Sequence, residues 1–242
     1  MEDQPARPAI RPLYRIFTEI PGRYDLINHV ITMGLDKGWR RQAALACLES
    51  SPARILDICC GTGDLTVNIA RLAKYEPEIT AVDYSQPMLD EAERKAAREV
   101  PGRRIKFVNS EIAQLPFPGG YFDCIGISFA FRNLTYKNPL AKHHIDEVLR
   151  VLRTGGKYVI VESSQPKWGL IRALDHLYLR LYVYPAGYLI SRNRPAYRYL
   201  TDSASNFFQA EEAAGYLLKS GFSRVTFRRL FFGAAAIHVA VK

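Results

Sequence analysis

Cysteines are few in this 242-residue chain, and a long apolar run and an export signal are absent. Its four cysteines are Cys47, Cys59, Cys60 and Cys124. They form no CxxC pair, so the spacing of a zinc site or of a secreted disulfide framework is missing. The most apolar stretch, residues 178–190, is interrupted by Arg180 and Pro185 and is too short to span a membrane. The first residues include Glu2 and Asp3 and lack the apolar core of a signal peptide, so we expect a cytoplasmic protein.

Acidic residues are outnumbered by basic ones, 24 against 33, which gives a formal charge of +9. Apolar residues make up 48% and charged residues 24%, proportions that indicate a folded globular protein and exclude disorder of the whole chain. The positive charge favours an anionic membrane face or nucleic acid, and alone it decides for neither. We expect no nucleic-acid partner, because no RNA-binding motif is appended and the basic residues of one segment alternate with tyrosines.

From residue 54 onward, short apolar runs alternate with segments of helical periodicity. The predicted strands span residues 54–59, 79–82, 105–108, 122–129, 158–161, 224–230 and 235–241. The predicted helices between them span residues 64–74, 85–99, 138–152 and 209–220. This alternation predicts an α/β fold with a doubly wound, mostly parallel sheet. The last two strands are joined by a short turn at Gly233, which predicts an antiparallel final strand.

Two regions flank or interrupt this pattern. We interpret residues 1–49 as a flexible arm followed by lid helices, with Asp36 as the N-cap of a helix that runs to Leu48. Residues 50–242 would form the Rossmann-like sheet domain. Residues 167–205, rich in tyrosine and arginine, read as a helical insert in that domain.

The segment from Asp57 to Asp64 carries the strongest single signal for a ligand. Gly61 and Gly63 lie where the first strand meets the first helix, and there they let a ligand approach the backbone at a helix N-terminus. Asp83 follows Gly63 by 20 residues, at the end of the second strand, where a carboxylate accepts hydrogen bonds from ribose hydroxyls. Two glycines alone are also typical of a tight turn without a ligand.

The same loop excludes two common nucleotide sites. Thr66 stands where the dinucleotide motif has its third glycine, and no lysine follows the loop as in a P-loop. The carboxylates of Asp57 and Asp64 would repel a pyrophosphate and would suit a cationic ligand with an amino group and a sulfonium. The loop therefore favours S-adenosylmethionine over NAD.

Several segments together resemble the UbiE/MenG family of class I S-adenosylmethionine methyltransferases, which C-methylate quinone precursors. These segments are Tyr24–His29, Ile55–Leu65, Leu115–Pro118, Phe129–Asn133, Val148–Leu152 with Gly155 and Gly156, Tyr197–Leu200 and Ala236–His238. The resemblance runs from Tyr24 to Lys242. Many methyltransferases share the glycine loop, whereas the Tyr-Asp start, the Arg132–Asn133 pair and the Ala-Ile-His ending are more specific in combination.

The resemblance implies S-adenosylmethionine as the cofactor. The predicted cofactor-binding residues are Asp57, Gly61, Thr62, Gly63, Asp83, Glu111, Ile112 and Ser128. Glu111 and Ile112 would lie beside the adenine, and Ser128 at the end of the fourth strand. Family members usually have Asp or Asn where Glu111 stands, and the longer carboxylate still reaches the adenine amino group.

The expected acceptor is a small hydrophobic molecule, a demethylated prenyl quinol, with demethylmenaquinol favoured. The reduced ring becomes nucleophilic at carbon when a neighbouring hydroxyl loses its proton, so the site must stabilise an aryl oxyanion. We assign that role to Arg132, which stays protonated, and we assign the orientation of a water or of the ring oxygen to Asn133. The alternative is that Arg132 only pairs with a surface carboxylate.

The substrate-side residues predicted by the resemblance are Tyr24, Asn28, His29 and Tyr197. His29 is either a base or a satisfied structural histidine, and the structural reading is the stronger one. No metal site is predicted, because His143 and His144 are adjacent on a helix and do not face each other. The tyrosine- and arginine-rich insert would hold the prenyl tail against an anionic membrane face, or else form a cap that packs on itself.

Departures from the family pattern fall on the acceptor side, at Ala130, Ala204, Phe208, Phe231 and Phe232. Three functions therefore stay open from the sequence. The first is quinol C-methylation, on a naphthoquinol or a benzoquinol. The second is methylation of another small hydrophobic acceptor, such as a ubiquinone precursor, or at oxygen or nitrogen. The third is a binding protein that has lost catalysis. The sequence leaves the oligomeric state open, a homo-oligomer included.

Overall fold

The computed structural model describes residues 21–191 and 194–242. The predicted arm at residues 1–12 and Arg192 of the insert lie outside these ranges. Seven strands form one sheet in the order β3-β2-β1-β4-β5-β7-β6. They are β1 (Arg54–Ile58), β2 (Glu78–Asp83), β3 (Ile105–Asn109), β4 (Phe122–Ser128), β5 (Leu152–Ser163), β6 (Arg224–Leu230) and β7 (Ala235–Val241).

Strands β1 to β5 pair in parallel, and β7 runs antiparallel to both of its neighbours, β5 and β6. The predicted α/β fold with an antiparallel last strand is therefore confirmed. The strand order reverses between β1 and β4, which pair directly. Open sheets of this kind bind ligands at the carboxyl ends of the strands beside such a reversal.

Ten α-helices are assigned in the described part of the chain. They are α1 (Pro21–Ile31), α2 (Leu35–Leu48), α3 (Asp64–Leu72), α4 (Gln86–Glu99), α5 (Phe131–Thr135), α6 (Ala141–Val151), α7 (Gly169–Tyr178), α8 (Tyr184–Ser191), α9 (Arg194–Ser205) and α10 (Ala210–Lys219). A π-helical segment, Leu179–Val183, joins α7 to α8, and a 3-10 turn, Phe231–Gly233, joins β6 to β7. No helix in these ranges combines the length and apolarity needed to cross a bilayer.

Two predicted helix starts are wrong. Asp36 is not the N-cap of α2, because that helix begins at Leu35 after Gly34, whose φ of +76° is left-handed. The Asp36 side chain is buried one residue inside the helix and bonded to other side chains. The next start falls at Ala141 and not at residue 138, because Asn138 Oδ1 accepts the Leu140 N–H at 2.9 Å and closes a turn before α6.

The fifth strand is longer than the predicted 158–161 and begins directly where α6 ends, at Leu152. Phe122 of β4 pairs with Leu152, and the register then shifts before Cys124 pairs with Lys157. The two glycines at 155 and 156 therefore lie in an irregular part of β5 and do not end the preceding helix.

Helices cover the sheet on both faces, so its central strands are mostly buried. In β1 every residue after Arg54 is buried, as expected for a parallel strand between two helical layers. One core cluster holds Phe122, Phe131 and Tyr158 and fills the side of α5, α6 and α10. The other core cluster lies between the sheet and helices α2 to α4. Burial of this apolar surface fixes the carboxyl ends of β1, β2, β4 and β5, where the candidate site residues lie.

Candidate active site

The glycine loop between β1 and α3 has the backbone conformation that its sequence predicts. Gly61 and Gly63 have φ values of +54° and +81°, a region that favours glycine. A Cβ on Gly63 would lie 2.9 Å from Ala92 Cβ, so this glycine lets α3 pack closely against α4. A Cβ on Gly61 would meet only open space. The outer side of Gly61 is therefore free for a ligand that lies along the backbone.

Asp83 is held rigidly beside this loop. Its Oδ2 accepts the Gly61 N–H at 2.9 Å, and its Oδ1 accepts the Ser85 N–H at 2.9 Å. Burial raises the pKa of Asp83, and the backbone donors offset part of that shift. A carboxylate has about four acceptor positions, and the backbone of Tyr84 supplies a third donor, so the side chain can still accept a ribose hydroxyl.

Asp57, at the end of β1, has an unsatisfied buried oxygen. Its Oδ2 accepts the Thr66 hydroxyl at 2.5 Å, whereas Oδ1 is buried without a hydrogen-bond partner. Burial raises the pKa of Asp57 to about 7. An amino group of a ligand would satisfy this oxygen and favour the charged form of the carboxylate. The residues of the loop therefore fit S-adenosylmethionine, whose methionine part carries an ammonium group and a sulfonium.

Thr62, a predicted cofactor contact, joins a buried network that ties α1 to the loop. Its hydroxyl donates to Asp25 Oδ1 at 2.5 Å, and Lys95 Nζ donates to Asp25 Oδ2 and to Asp64 Oδ1, each at 2.6 Å. Burial lowers the pKa of Lys95, but Asp64 and Asp25 outweigh it and the net shift is upward. Asp64 is therefore neutralised by Lys95, and Asp57 is left as the loop carboxylate that can meet a cationic ligand.

Asp36 is the centre of a second group of buried polar side chains. Its carboxylate accepts from Thr32 Oγ1 at 2.8 Å, pairs with Arg40, and lies 2.8 Å from His29 Nδ1. Burial raises the pKa of Asp36, but these partners outweigh it and the net pKa is lowered. With one ring nitrogen held by a carboxylate, the geometry favours a structural role for His29. Arg40 continues the chain of contacts, because its Nε donates to Ser128 Oγ at 3.1 Å.

The predicted catalytic pair lies in the short helix α5, directly after β4. Glu162, at the end of β5, accepts the backbone N–H of Arg132 at 3.0 Å, and its other oxygen lies 3.6 Å from Arg132 Nη1. Arg132 also donates to Ser163 Oγ. The partner of Arg132 is thus a carboxylate that is only 2% exposed, not a surface one. Arg132 Nε and Asn133 Oδ1 are buried without a partner in the described structure.

Arg132 and Asn133 line a mainly apolar cavity of about 1230 Å³, including the space at its mouth. Helices α1 and α2, the ends of β4 and β5, and the insert all contribute to it. Two other predicted substrate-side residues, Asn28 and Tyr197, also line it. Tyr24 lies in α1. Most of the surface of the cavity is apolar, which suits an aromatic ring.

The remaining predicted cofactor residues lie outside this cavity. Glu111 is exposed and Ile112 is buried in the core, both just after β3. The Ser110 N–H donates to the Asp83 carbonyl at 3.1 Å, which places this segment beside the ribose-binding candidate. The glycine loop and the apolar cavity are distinct but neighbouring, because Arg40 lines the cavity and lies 3.5 Å from Asp64 of the loop.

The departures from the family pattern do not all lie in the cavity. Ala204 and Phe231 line it. Ala130 and Phe208 instead pack against the core cluster around Phe131, and Phe232 is exposed. Of the five departures, Ala204 and Phe231 are therefore placed to change the shape of the cavity.

Sequence reasoning missed several polar residues of the site: Arg40, Lys95, Glu162 and Asp175. Glu162 had a readable signal, because it follows a buried apolar strand at its carboxyl end. Lys95 had none, because it lies within a charged stretch of α4 that reads as a solvated face. Within the described ranges, no group of three or more His, Cys, Asp or Glu residues is placed to hold a metal ion.

The fold and the glycine loop define a class I S-adenosylmethionine-dependent methyltransferase. An S-adenosylmethionine-dependent methyltransferase structure from Methanococcus maripaludis matches over 100% of this chain and 97% of its own, with a TM-score of 0.61 and 15% identity. At that identity the likeness concerns the fold alone.

The sequence places the chain more narrowly. The profile of the ubiE/COQ5 methyltransferase family matches residues 9–242, and the chain belongs to that family. The chain is 40% identical to the demethylmenaquinone methyltransferase of Thermus thermophilus, over 93% of this chain and 98% of the relative. It is 32% identical to the ubiquinone/menaquinone biosynthesis C-methyltransferase UbiE of Pseudomonas entomophila, over 100% of this chain and 93% of the relative. The protein is an enzyme that uses S-adenosylmethionine, as predicted.

Proposed function

We propose that this enzyme C-methylates a demethylated prenyl quinol in quinone biosynthesis, with demethylmenaquinol as the acceptor. Support comes from the relatives named demethylmenaquinone methyltransferase. The observation that carries the proposal is the Arg132–Asn133 pair, which lines a mainly apolar cavity. Arg40 lines the same cavity and lies 3.5 Å from Asp64 of the glycine loop. A cationic donor and an amide oxygen in a mainly apolar cavity suit an aromatic ring with hydroxyl groups.

Bound S-adenosylmethionine supplies an electrophilic methyl group. Gly61, Asp57 and Asp83 hold and orient it through the open loop backbone, the unsatisfied Asp57 Oδ1 and the lone pairs of Asp83. These contacts fix one reactant with respect to the cavity, and such fixation lowers the barrier of a displacement between two bound molecules.

Arg132 acts on the other reactant. Its guanidinium is anchored by Glu162 and Ser163, and its Nε, which is buried without a partner, would donate to the ring oxygen of the quinol. A fixed positive charge favours loss of the hydroxyl proton and stabilises the oxyanion that makes the ring carbon nucleophilic. Asn133 Oδ1 is an acceptor, so it orients the hydroxyl or a water that bridges to it.

Apolar side chains of the cavity exclude water from this charge. Trp39, Phe129, Leu179 and Val183 are among the residues that line it. In such surroundings, the attraction between Arg132 and the oxyanion is stronger than it is in water. The same side chains bind the ring and the first units of the prenyl tail through burial of apolar surface.

A panel of acceptors tests this proposal. Purified enzyme is given S-adenosylmethionine with demethylmenaquinol, a demethylated ubiquinol precursor, or a phenol and an amine of similar size. We expect C-methylation of the naphthoquinol to dominate and to fall sharply in Arg132→Ala, while the affinity for S-adenosylmethionine is kept. Dominant methylation at oxygen or nitrogen, or of the benzoquinol, would overturn the assignment of the acceptor.

We also propose that the enzyme works in the cytoplasm, at the inner face of the membrane that contains its prenylated acceptor. Support comes from a run of exposed leucines on one face of α7 and the π-helical segment. This leucine stripe consists of Leu170, Leu174, Leu177 and Leu181, which are 50% to 75% exposed. Their spacing of four, three and four residues places them on one side of a helix.

The chemistry around the leucine stripe suits an anionic lipid surface. Trp168 at its start is exposed, and the exposed Lys167 and Arg180 supply positive charge. An apolar helix face flanked by basic and aromatic residues binds at the headgroup boundary of a membrane. Other residues of α7 and the π segment, Tyr178 and Val183, line the apolar cavity, so an acceptor entering from the bilayer would have a short path.

A further inference from the structure

Asp175 is a second carboxylate at the apolar cavity, and the mechanism above leaves it unused. Among the described residues that line the cavity, the carboxylates are Asp36 and Asp175. The Asp36 carboxylate is already bonded to His29, Thr32 and Arg40. Asp175, on α7, is partly buried, and its side chain forms neither a hydrogen bond nor an ion pair with any described residue. A carboxylate that lines a mainly apolar cavity without a partner loses part of its hydration and gains no hydrogen bond in return, so its position calls for a functional explanation.

Its surroundings tune Asp175 as a base. Burial alone raises the pKa of Asp175 to about 6, and no neighbouring charge contributes to the shift. A carboxylate with such a pKa is ionised at neutral pH and binds a proton more readily than an exposed aspartate does. A catalytic base works best when its pKa lies near the working pH, and carboxylates in enzymes reach that range through burial.

Of the described titratable and charged groups that line the cavity, Asp175 is the one suited to act as a base. The others are Tyr178 on its own helix, Asp36 and Arg40 on α2, Arg132 on α5, and Tyr197 and Tyr199 on α9. Arginine and tyrosine hold their protons at neutral pH. Tyr178 donates its hydroxyl to the Ile31 carbonyl at 2.8 Å, and burial raises the pKa of Tyr178 to about 12. Glu162 is occupied by Arg132 and Ser163.

We infer that Asp175 is the proton acceptor of the reaction, taking the hydroxyl proton of the quinol while Arg132 stabilises the oxygen. The inference rests on the proposed function. The O–H bond breaks, its electron pair stays on the ring oxygen, and the proton goes to a carboxylate oxygen of Asp175. The ring carbon then forms its bond to the methyl group as the bond between that methyl group and sulfur breaks. The same carbon afterwards loses its own proton, the oxygen is reprotonated, and Asp175 passes its proton to solvent. One proton leaves for each methyl group transferred.

The test compares Asp175→Asn with Asp175→Glu and with Asp202→Asn, a control at an exposed aspartate on α9. Turnover of demethylmenaquinol is measured from about pH 5 to about pH 9, around the expected pKa. In the wild type and in Asp202→Asn, we expect kcat to rise through about pH 6 and then level off. Asp175→Asn should lose about 100-fold in kcat at neutral pH together with this rise, whereas Asp175→Glu should keep most of the kcat and show the rise at a shifted pH.

A quinol with electron-withdrawing ring substituents separates a base from a merely structural residue. Its hydroxyl ionises at lower pH, so the loss in Asp175→Asn should shrink for this acceptor and at high pH. Asp175→Asn with normal turnover and a wild-type pH profile would overturn the inference, as would a loss of the same size for both acceptors. If Asp175→Asn does not fold, an altered pH profile in Asp175→Glu supports the role, and an unaltered one refutes it. Failure of the wild type to methylate the quinol would instead count against the proposed function.

Discussion

Glu162 holds Arg132 at two points, through a 3.0 Å hydrogen bond from the Arg132 backbone N–H and through a guanidinium that lies 3.6 Å from its other oxygen. One carboxylate thus positions both the start of α5 and the charged end of the side chain. Because Glu162 ends β5 and Arg132 follows β4, the pair connects neighbouring strands of the sheet at its carboxyl edge. The guanidinium proposed to stabilise the acceptor is therefore held in place by neighbouring strands of the sheet.

Glu162→Gln should release this anchor while keeping the size of the side chain. We expect turnover to fall by about 10-fold or more, because a second-layer partner that orients a charge is worth that much. Affinity for S-adenosylmethionine, measured by calorimetry, should stay unchanged. The matched control is Glu211→Gln, which breaks an exposed pair with Arg229 and should leave turnover alone. Equal turnover in the two variants would show that Glu162 does not position Arg132.

Lys95→Met should destabilise the fold and weaken cofactor binding. It leaves Asp25 and Asp64 facing each other without their shared cation, so unfolding should cost about 3 kcal/mol less. Thr62 loses its ordered partner Asp25, so affinity for S-adenosylmethionine should fall as well. Denaturant unfolding and calorimetry measure the two effects. Lys142→Met is the control: its pair with Asp146 is exposed, and we expect a change below about 0.5 kcal/mol. Similar losses in both variants would contradict a buried, functional Lys95.

Asp57 should make cofactor binding depend on pH. Burial raises the pKa of Asp57 to about 7 in the ligand-free protein, and a cationic amino group favours its ionised form. Binding below that pH must expel a proton, so affinity should rise with pH up to about 7 and then level off. Stability of the ligand-free protein should change in the opposite direction. A raised carboxyl pKa stabilises the fold at low pH, and that contribution is lost as pH rises through about 7.

Asp57→Asn is the variant for this prediction. It should bind S-adenosylmethionine more weakly and lose the rise in affinity below pH 7. Asp64→Asn makes a useful comparison, because Asp64 is already neutralised by Lys95 and should not change the pH profile. A wild-type profile in Asp57→Asn would remove Asp57 from the cofactor site.

The leucine stripe should carry membrane binding. Leu174→Ser combined with Leu177→Ser and Leu181→Ser should reduce co-flotation with anionic liposomes by about 10-fold or more, since each buried leucine contributes about 1.5–3 kcal/mol. Leu45→Ser with Leu218→Ser is the control, because these leucines are 43% and 47% exposed on other helices. Light scattering of both variants measures the oligomeric state and so shows whether the stripe instead binds a second copy of the chain. Full liposome binding by the stripe variant, or loss of a dimer in its place, would contradict the membrane assignment.

The sheet could be predicted closely from the sequence, because alternating apolar runs and helical periodicity are local signals. Strands β6 and β7 match their predicted bounds, and the glycine loop and Asp83 lie where the motif placed them. The N-terminal helices were predicted less well. Asp36 looked like a cap, but its true partners depend on how α1 packs against α2.

The polar contacts that hold the site residues in place could not be predicted, since they join distant parts of the chain. Lys95 contacts Asp25, which lies 70 residues away in the sequence, and Arg132 contacts Ser163, which lies 31 residues away. The burial of Asp175 depends on how the insert folds over the ends of β4 and β5. In the sequence this residue is a single acidic position among tyrosines and leucines, with no motif to mark it.

Methyl transfer from labelled S-adenosylmethionine to demethylmenaquinol, with the oxidised demethylmenaquinone beside it, tests the central claim most directly. We expect label on a ring carbon of the reduced acceptor and none on the oxidised one, because only the quinol has a hydroxyl whose proton can be removed. Label on an oxygen, equal label on both redox forms, or no label despite measured cofactor binding would contradict it.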